Sequence, residues 1–237
     1  MLQVCLNGPR SKADFAALPV SPAELAAEAM AAVAAGAEEI HLHPKSADGT
    51  DTLEPAAVAA AVEEVRAAVP GIRVGVTTGA WAEPDPARRA GLVERWTVLP
   101  DHASVNWHED GAEQVARALL DRGVGIEAGI FSGRGVAGRF LVSPLAPRVL
   151  RVLAEITAPD PTTATDDARA LVAELAQGPT PILLHGEDAC AWPVLALAGE
   201  LGLDTRIGLE DVLTLPDGTV PANNADLIRA ATRTLAR

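Results

Sequence analysis

The segment Ile40–Pro44 reads IHLHP and places two histidines two positions apart. On a β-strand, side chains at i and i+2 point to the same face, so His41 and His43 would project together while Ile40 and Leu42 point the other way. Two imidazoles on one face can chelate one ion, and Zn²⁺ bound by nitrogen at about 2.0–2.1 Å suits this spacing. The pair could instead be hydrogen-bonded in a polar pocket, and the motif alone does not choose among zinc enzymes.

A zinc site of this kind needs a third protein ligand and an open position for substrate. The candidates near later predicted strand ends are Glu155, His185, Glu210 and Asp211. In RIGLEDVL, alternation places Arg206, Gly208 and Glu210 on one face, which would make Glu210 the last inward residue. Glu210 and Asp211 could alternatively cap the next segment. A buried Arg206 would need a partner, either a substrate carboxylate or Asp211.

Other polar residues at predicted strand ends could bind a substrate. The turn at Thr77–Gly79 offers hydroxyls and backbone donors beside a glycine that permits close approach, although it could be an ordinary turn. The loop Gly133–Gly135 could bind an anion or be a plain loop. The residues predicted to contact substrate from these strand ends are Thr77, Thr78, Asn106, Glu127 and Arg206.

These residues follow β-rich runs that alternate with alanine-rich helical runs. The predicted strands are Leu2–Asn7, Glu39–His43, Arg73–Thr78, Ala103–Trp107, Gly125–Phe131, Val149–Ile156, Pro181–His185 and Thr205–Leu209. The predicted helices are Pro22–Ala35, Pro55–Val69, Asp110–Arg122, Asp166–Gln177, Trp192–Leu201 and Asn224–Leu235. The segment Ser132–Arg148 is read as a short helix with a loop, because prolines and glycines interrupt it.

The repeat of strand and helix predicts an α/β fold with a parallel sheet. Eight units of roughly 30 residues each match the size of βαβ repeats and the (β/α)8 TIM barrel. We therefore predict a single barrel domain over residues 1–237. An open doubly wound sheet is the alternative, although no G-x-G-x-x-G follows the first strand. Active sites of such barrels lie at the carboxyl ends of the strands, where the polar residues above are found.

The composition excludes several partner classes. The 19 Lys and Arg against 32 Asp and Glu give a net charge of −13, which disfavours binding to nucleic acid or an anionic membrane. The sequence contains no run of 18 apolar residues, so we predict no membrane span. The N-terminal MLQVCLNGPR is read as a strand, not a signal peptide. The two cysteines, Cys5 and Cys190, lack a disulfide or CxxC pattern and indicate a cytoplasmic protein.

Several segments in combination resemble the β-keto acid cleavage enzyme family, which includes 3-keto-5-aminohexanoate cleavage enzyme. The matching segments, in chain order, are Asn7-Gly8, LPVSPAELAAEAMAAVAAGA at Leu18–Ala37, IHLHP with Asp48-Gly49, TTGAW at Thr77–Trp81 and RIGLED at Arg206–Asp211. They extend over most of the chain. The helix, HLH and R-x-G-x-E-D together are more specific than any one of them.

The resemblance implies a zinc-dependent (β/α)8 barrel that transfers the acyl part of a β-keto acid to coenzyme A. A β-keto acid and acetyl-CoA would give acetoacetate and a new acyl-CoA. In the family pattern the metal ligands fall on His41, His43 and Glu210. The arginine that holds the substrate carboxylate falls on Arg206, the acidic base on Asp211, and the first residue of the S/T-T-G turn on Thr77. Family members form homo-oligomers, and we expect one here.

The sequence departs from the family pattern at three places. Arg10 stands near an acidic residue that the amino-acid-cleaving member uses for its substrate's amino group. HGED at His185–Asp188 replaces a G-x-G-R turn, and the paired acids after strand five reduce to Glu127 with Gly129. We therefore predict that Arg10 contacts the substrate and favours a neutral or dicarboxylic β-keto acid. Alternatively, Arg10 points into solvent.

Two other functions stay open from the sequence. One is another zinc-dependent barrel enzyme, such as a class II aldolase-like lyase or a hydrolase. The other is a barrel that keeps the metal pocket and binds a metabolite without turnover, for which the loss of the G-x-G-R turn is the only support.

Overall fold

A computed structural model describes residues 1–157 and 160–236, which contain eight parallel strands. Numbered in chain order, they are β1 Leu2–Cys5, β2 Glu39–Leu42, β3 Arg73–Thr77, β4 His102–Asn106, β5 Gly125–Phe131, β6 Arg151–Ile156, β7 Ile182–Gly186 and β8 Thr205–Ile207. They form one sheet in the order β7-β6-β5-β4-β3-β2-β1-β8. Leu183 bridges Asp204, and the amide of Leu184 donates to the Asp204 carbonyl at 2.9 Å. The two sheet edges therefore meet, and the predicted (β/α)8 barrel is confirmed.

The helices surround this barrel. They are α1 Pro22–Ala34, α2 Pro55–Ala68, α3 Pro86–Glu94, α4 Ala112–Asp121, α5 Ala137–Leu141, α6 Ala164–Leu175, α7 Ala191–Leu201 and α8 Asn224–Leu235. The short α3 was not among the sequence predictions, because PARRAGLVE has a weak apolar pattern. Its start is fixed by the Asp85 side chain, which accepts from the amide of Arg88 at 2.8 Å. No helix of residues 1–157 and 160–236 is long and apolar enough to cross a membrane.

At the end of the barrel where the site lies, the strands are slightly shorter than the sequence predicts. β8 ends at Ile207, before Gly208, because the carbonyl of Gly208 accepts from the amides of Asp211 and Val212 in a turn. A Cβ at Gly208 would lie 1.9 Å from the carbonyl oxygen of Cys5, so only glycine fits this turn against β1. The turn brings Glu210 back over the barrel mouth, where a regular strand would have carried the chain away.

The two faces of the strands differ in polarity. The outward side chains are apolar and fully buried beneath the helices, as Val4, Ile40 and Val74 illustrate. The hydrophobic core therefore lies between the sheet and the helices. The inward side chains are largely polar. Gln3 on β1 reaches across to β5, where its amide nitrogen donates to Glu127 Oε1 at 2.9 Å.

A charged network fills the amino-terminal half of the barrel interior. Arg151 donates from Nε to Glu127 Oε1 at 2.8 Å and from Nη2 to Glu39 Oε2. His102 Nε2 lies 3.6 Å from Glu127 Oε2. Burial alone would raise the pKa of Glu127, but His102 and Arg151 outweigh it and lower the pKa to about 2. Glu127 thus depends on Arg151 and His102 for compensation of its charge, whereas Glu39 also pairs with Arg73.

Replacing Arg151 with alanine is expected to lower the free energy of unfolding by about 3–5 kcal/mol, because it leaves the buried Glu127 without the arginine that pairs with it. Arg169 provides the control, since its pair with Glu200 lies at the surface and should contribute less than about 1 kcal/mol. Urea unfolding followed by circular dichroism measures both. Equal small losses for Arg151→Ala and Arg169→Ala would show that the network does not stabilise the barrel.

Candidate metal centre and adjoining cavity

His41, His43 and Glu210 converge at the carboxyl end of the barrel, and we call them the His–Glu triad. His41 lies on β2, and His43 directly follows that strand. Glu210 follows β8, and β2 and β8 pair with the two opposite edges of β1. His41 Nε2 is 3.7 Å from Glu210 Oε2, and His43 Nε2 is 3.5 Å from Glu210 Oε1. One nitrogen or oxygen atom from each residue lies within 4.8 Å of the others, and all three residues are buried.

The triad offers two nitrogens and a carboxylate, a donor set that suits Zn²⁺ with a position left open. Burial lowers the pKa of His41 to about 3, so its ring is neutral and able to ligate. Burial opposes ionisation of Glu210, but Arg206 and both histidines hold the pKa of this carboxyl well below its usual value. Glu210 Oε2 is buried and has no hydrogen-bond partner among the described residues. The residues therefore fit a divalent metal ion.

The other ring nitrogens of the histidines face carboxylates. His43 Nδ1 is 2.7 Å from Asp51 Oδ2, and His41 Nδ1 is 3.9 Å from Glu127 Oε2. Glu210 and Asp51 outweigh the effect of burial and raise the pKa of His43 to about 9. A carboxylate behind the distal nitrogen fixes the ring orientation and directs Nε2 to the ion.

Asp51 also organises the rim of the site. Trp81 donates from Nε1 to Asp51 Oδ2 at 2.7 Å, and its ring stacks on His43 with centroids 5.9 Å apart and an interplanar angle of 11°. Lys45 pairs with Asp51 and donates to the carbonyl of Gly8 at 2.7 Å. Sequence reasoning missed Asp51, because SADGTDT is a polar loop without periodicity.

Arg206 joins the triad to Asp211. Its Nη2 lies 3.0 Å from Glu210 Oε1 and 2.9 Å from Asp211 Oδ1, and its Nε donates to His185 Nδ1 at 3.1 Å. Burial lowers the pKa of His185 well below its usual value, which keeps the ring a neutral acceptor. Burial raises the pKa of Asp211 to about 7, with Arg206 opposing and Glu210 reinforcing the shift. Asp211 is thus the protein partner of Arg206 that the sequence left open.

A cavity of about 100 Å³ opens beside the triad, and we call it the triad cavity. His43 and Glu210 line it together with three residues predicted to bind substrate, namely Thr77, Asn106 and Arg206. A larger cavity of about 490 Å³ lies next to it, and Phe131 lines both. The structure therefore brings two of the predicted metal ligands and part of the predicted substrate set to one opening.

The other predicted substrate residues do not line this cavity in the described part of the chain. The hydroxyl of Thr78 donates to the carbonyl of Ser104 at 2.6 Å, on the opposite face of the strand from Thr77. Glu127 is wholly buried below His41. Arg10 donates to the carbonyl of Glu210 at 3.0 Å and pairs with Asp188 at 2.7 Å. Their contact with substrate stays a prediction.

Two further carboxyl groups line the triad cavity, and we call Glu155 and Glu187 the acid pair. Glu155 was considered from the sequence only as a metal ligand, and Glu187 only as part of the HGED departure. Glu155 lies on β6 and Glu187 directly follows β7, so the ends of neighbouring parallel strands place them together.

Comparison with known proteins settles the family. The profile of the beta-keto acid cleavage enzymes matches residues 1–237. The chain belongs to the beta-keto acid cleavage enzyme family. This confirms the resemblance drawn from the helix, HLH and R-x-G-x-E-D segments. A curated relative, 3-oxoadipate:acetyl-CoA acetyltransferase of Cupriavidus necator, is 34% identical over 107 residues, which are 44% of this chain and 36% of that protein. The match therefore spans about a third of the relative's length.

Several solved structures share the barrel fold of this chain. A binary complex of ObcA with oxaloacetate superposes with a TM-score of 0.69 at 18% identity, over 91% of this chain and 63% of that chain. A ternary complex of ObcA with a C4-CoA adduct and oxalate gives 0.70 at 17% identity, over 92% and 64%. 3-Dehydroquinate dehydratase from Aquifex aeolicus VF5 gives 0.63 at 13% identity, over 100% and 97%. At these identities the likeness concerns the fold.

Proposed function

We propose that this chain cleaves a β-keto acid with acetyl-CoA, releasing acetoacetate and a new acyl-CoA. The observation that carries the proposal is the convergence of His41, His43 and Glu210, with Arg206 bonded to both Glu210 and Asp211. His43, Glu210 and Arg206 line one cavity. Family membership supports it, and so does the name of the Cupriavidus necator relative, a 3-oxoadipate:acetyl-CoA acetyltransferase. The fold, with its polar residues at the carboxyl ends of the strands, is the usual setting for barrel chemistry.

We propose Zn²⁺ as the metal, held by His41 Nε2, His43 Nε2 and a carboxylate oxygen of Glu210. When bound, it would supply Lewis acidity toward the keto oxygen of the substrate. Arg206 would hold the substrate carboxylate through paired hydrogen bonds from its planar guanidinium. His185 accepts from Arg206 Nε at 3.1 Å and fixes the plane in which this fork is presented.

Asp211 is the proposed base. Its Oδ1 is held by Arg206, whereas Oδ2 is buried without a hydrogen-bond partner among the described residues. Oδ2 would take a proton from the carbon between the keto and carboxylate groups. The electron pair left on that carbon attacks the thioester carbonyl of acetyl-CoA, and the coenzyme A thiolate leaves. The thiolate then attacks the original keto carbon, and the bond between this carbon and the carbon that was deprotonated breaks. The new acyl-CoA is released, and Asp211 returns its proton to the deprotonated carbon, which completes acetoacetate.

The direct experiment is to incubate the zinc-loaded protein with a series of β-keto acids and acetyl-CoA. Mass spectrometry should detect acetoacetate and the matching acyl-CoA in equal amounts. Omission of acetyl-CoA is expected to abolish cleavage. Cleavage without acetyl-CoA would instead indicate a lyase or hydrolase, and tight binding with no cleavage would indicate a metabolite-binding barrel.

Cytoplasmic location and homo-oligomeric assembly stay proposals. The acidic composition and the two cysteines support the first, and the family resemblance supports the second. Light scattering coupled to size-exclusion chromatography measures the mass in solution. A mass of 24.4 kDa would be that of a monomer and would overturn the second proposal.

Asp51→Asn is expected to weaken zinc binding about 10–100-fold, because it removes the carboxylate that orients His43. Competition with a chromophoric chelator measures the affinity directly. Asp48→Asn is the control, since Asp48 lies in the same loop and bonds to Ser46 and Thr50. An Asp51→Asn affinity equal to that of Asp48→Asn would remove Asp51 from the metal site.

A further inference from the structure

The acid pair forms part of the wall of the triad cavity, opposite in charge to Arg206. Glu155 is 5% exposed, and in the β6–β7 register it lies beside His185. Glu187 follows two residues later and is partly buried. Both side chains line the same cavity as Arg206. A ligand that reaches this wall would therefore meet carboxyl groups.

Nothing in the described part of the chain neutralises the acid pair with a paired cation. The ion pairs of residues 1–157 and 160–236 include no lysine or arginine bound to Glu155 or Glu187. His185 Nε2 is 3.6 Å from Glu155 Oε2, but burial keeps that ring neutral. Arg206, the arginine of the cavity wall, bonds through Nε and Nη2 to His185, Glu210 and Asp211, and no described bond joins it to Glu155 or Glu187. Its Nη1 is left for a substrate carboxylate.

The two carboxyl groups hold each other in place. Burial raises the pKa of Glu155 well above its usual value, and the neighbouring Glu187 adds to this shift. Burial also raises the pKa of Glu187, while a hydrogen bond from Glu155 lowers it. Glu155 is therefore the protonated donor and Glu187 the acceptor, so the pair keeps one negative charge in a poorly solvated wall.

We infer that Glu155 and Glu187 make this cavity reject β-keto acids with a second carboxylate and select those with an uncharged far end. Arg206 can match one substrate carboxylate, and a second one would lie against the acid pair without a cation. Juxtaposed like charges are a common means of excluding a wrong ligand. This places selection by charge on the acid pair, whereas Arg10, the residue predicted from the sequence, is paired with Asp188.

The inference rests on the proposed function, and its test uses two acids of equal chain length. 3-Oxohexanoate and 3-oxoadipate differ at the far end, which is a methyl group in one and a carboxylate in the other. For the wild-type protein, kcat/KM with acetyl-CoA is expected to favour 3-oxohexanoate on the order of 100-fold. In Glu187→Gln this ratio should fall by about tenfold or more, because the wall loses its negative charge. Glu155→Gln replaces the uncharged member of the pair and should keep most of the preference.

Glu174→Gln provides the matched control. Glu174 lines the neighbouring cavity and undergoes the same charge change, so the ratio should stay at the wild-type value. A ratio near one in the wild-type protein, or a ratio that Glu187→Gln does not change, overturns the inference. Circular dichroism confirms folding, and the partly buried Glu187 gives a variant that tolerates substitution if Glu155→Gln does not fold.

Equilibrium binding separates this inference from the proposed function. Calorimetry with wild type and Glu187→Gln, in zinc and without acetyl-CoA, gives dissociation constants for both acids. A preference for 3-oxohexanoate that Glu187→Gln removes supports the inference even if no turnover occurs, in which case only the proposed reaction fails. Equal binding of the two acids to the wild-type protein overturns the inference even if both are cleaved.

Discussion

Replacing both His41 and His43 with alanine is expected to abolish zinc binding, from one ion per chain to none detectable, and to reduce acetyl-CoA-dependent cleavage to background. Two of the three ligand groups are lost, and Glu210 alone cannot hold the ion. Metal analysis after dialysis measures the zinc content. The barrel should persist, since the hydrophobic core lies outside the strands and neither histidine belongs to it.

His108→Ala is the control for that experiment. It removes an imidazole that contacts Phe131 edge to face at a centroid distance of 4.6 Å, outside the triad. Its zinc content should equal that of the wild type. Full occupancy in the His41→Ala, His43→Ala protein would sink the assignment of the metal site, and loss of zinc in the control would show that the loss is not specific to the triad.

Asp211→Asn is expected to lower kcat about 10²–10⁴-fold, with a smaller effect on KM. Asparagine keeps an acceptor for Arg206 but cannot take a proton from the substrate. A second measurement isolates this step. In D₂O without acetyl-CoA, the wild-type protein should accelerate exchange of the acidic C–H of the β-keto acid, and Asp211→Asn should not.

Asp204→Asn is the matched comparison, because Asp204 lies at the opposite end of β8, where it pairs with the N-terminal ammonium at 2.8 Å. Its kcat and exchange rate should match the wild type. Near-normal turnover in Asp211→Asn would move the base to another residue.

Strand alternation predicted that His41 and His43 share a face, whereas the family resemblance selected Glu210 from four candidates for the third ligand. His41 and His43 share this face because they are two residues apart, and the same rule placed Glu210 on the face of Arg206. The position of the Glu210 side chain depends on more than alternation, because β8 ends at Ile207. The turn at Gly208 then places Glu210 beside the two histidines. The barrel itself followed from the repeat of strand and helix, because each apolar strand face needs a helix to cover it.

Depth along the barrel axis could not be predicted from one sequence. Alternation puts Glu127 inside, but its bonds to Gln3 and Arg151 hold it in the charged network beneath His41. These contacts come from three different strands. Thr78 shows the opposite case, since alternation alone should have assigned it to the face away from Thr77.

Loop residues were also beyond reach. Asp51 and Trp81 come from two different loops and meet at His43 through tertiary contacts that no periodic pattern encodes. Glu187 was visible as a departure from the family turn, yet its partner Glu155 became apparent only when β6 and β7 were seen side by side. Side chains that orient ligands or select substrates were therefore harder to find than the ligands themselves.

The polar filling of the barrel has a consequence for how this chain can diverge. A Cβ at Gly75 would lie 2.2 Å from His102 Nε2, so a larger residue at one position requires a smaller one at the other. The ion pair between Glu39 and Arg151 links a second pair of positions, because loss of one charge leaves the other without its partner. Inward positions should thus covary in complementary pairs across relatives, whereas the outward apolar positions drift independently among residues of similar volume. Substitutions inside the barrel would then be found in coupled pairs when relatives are compared.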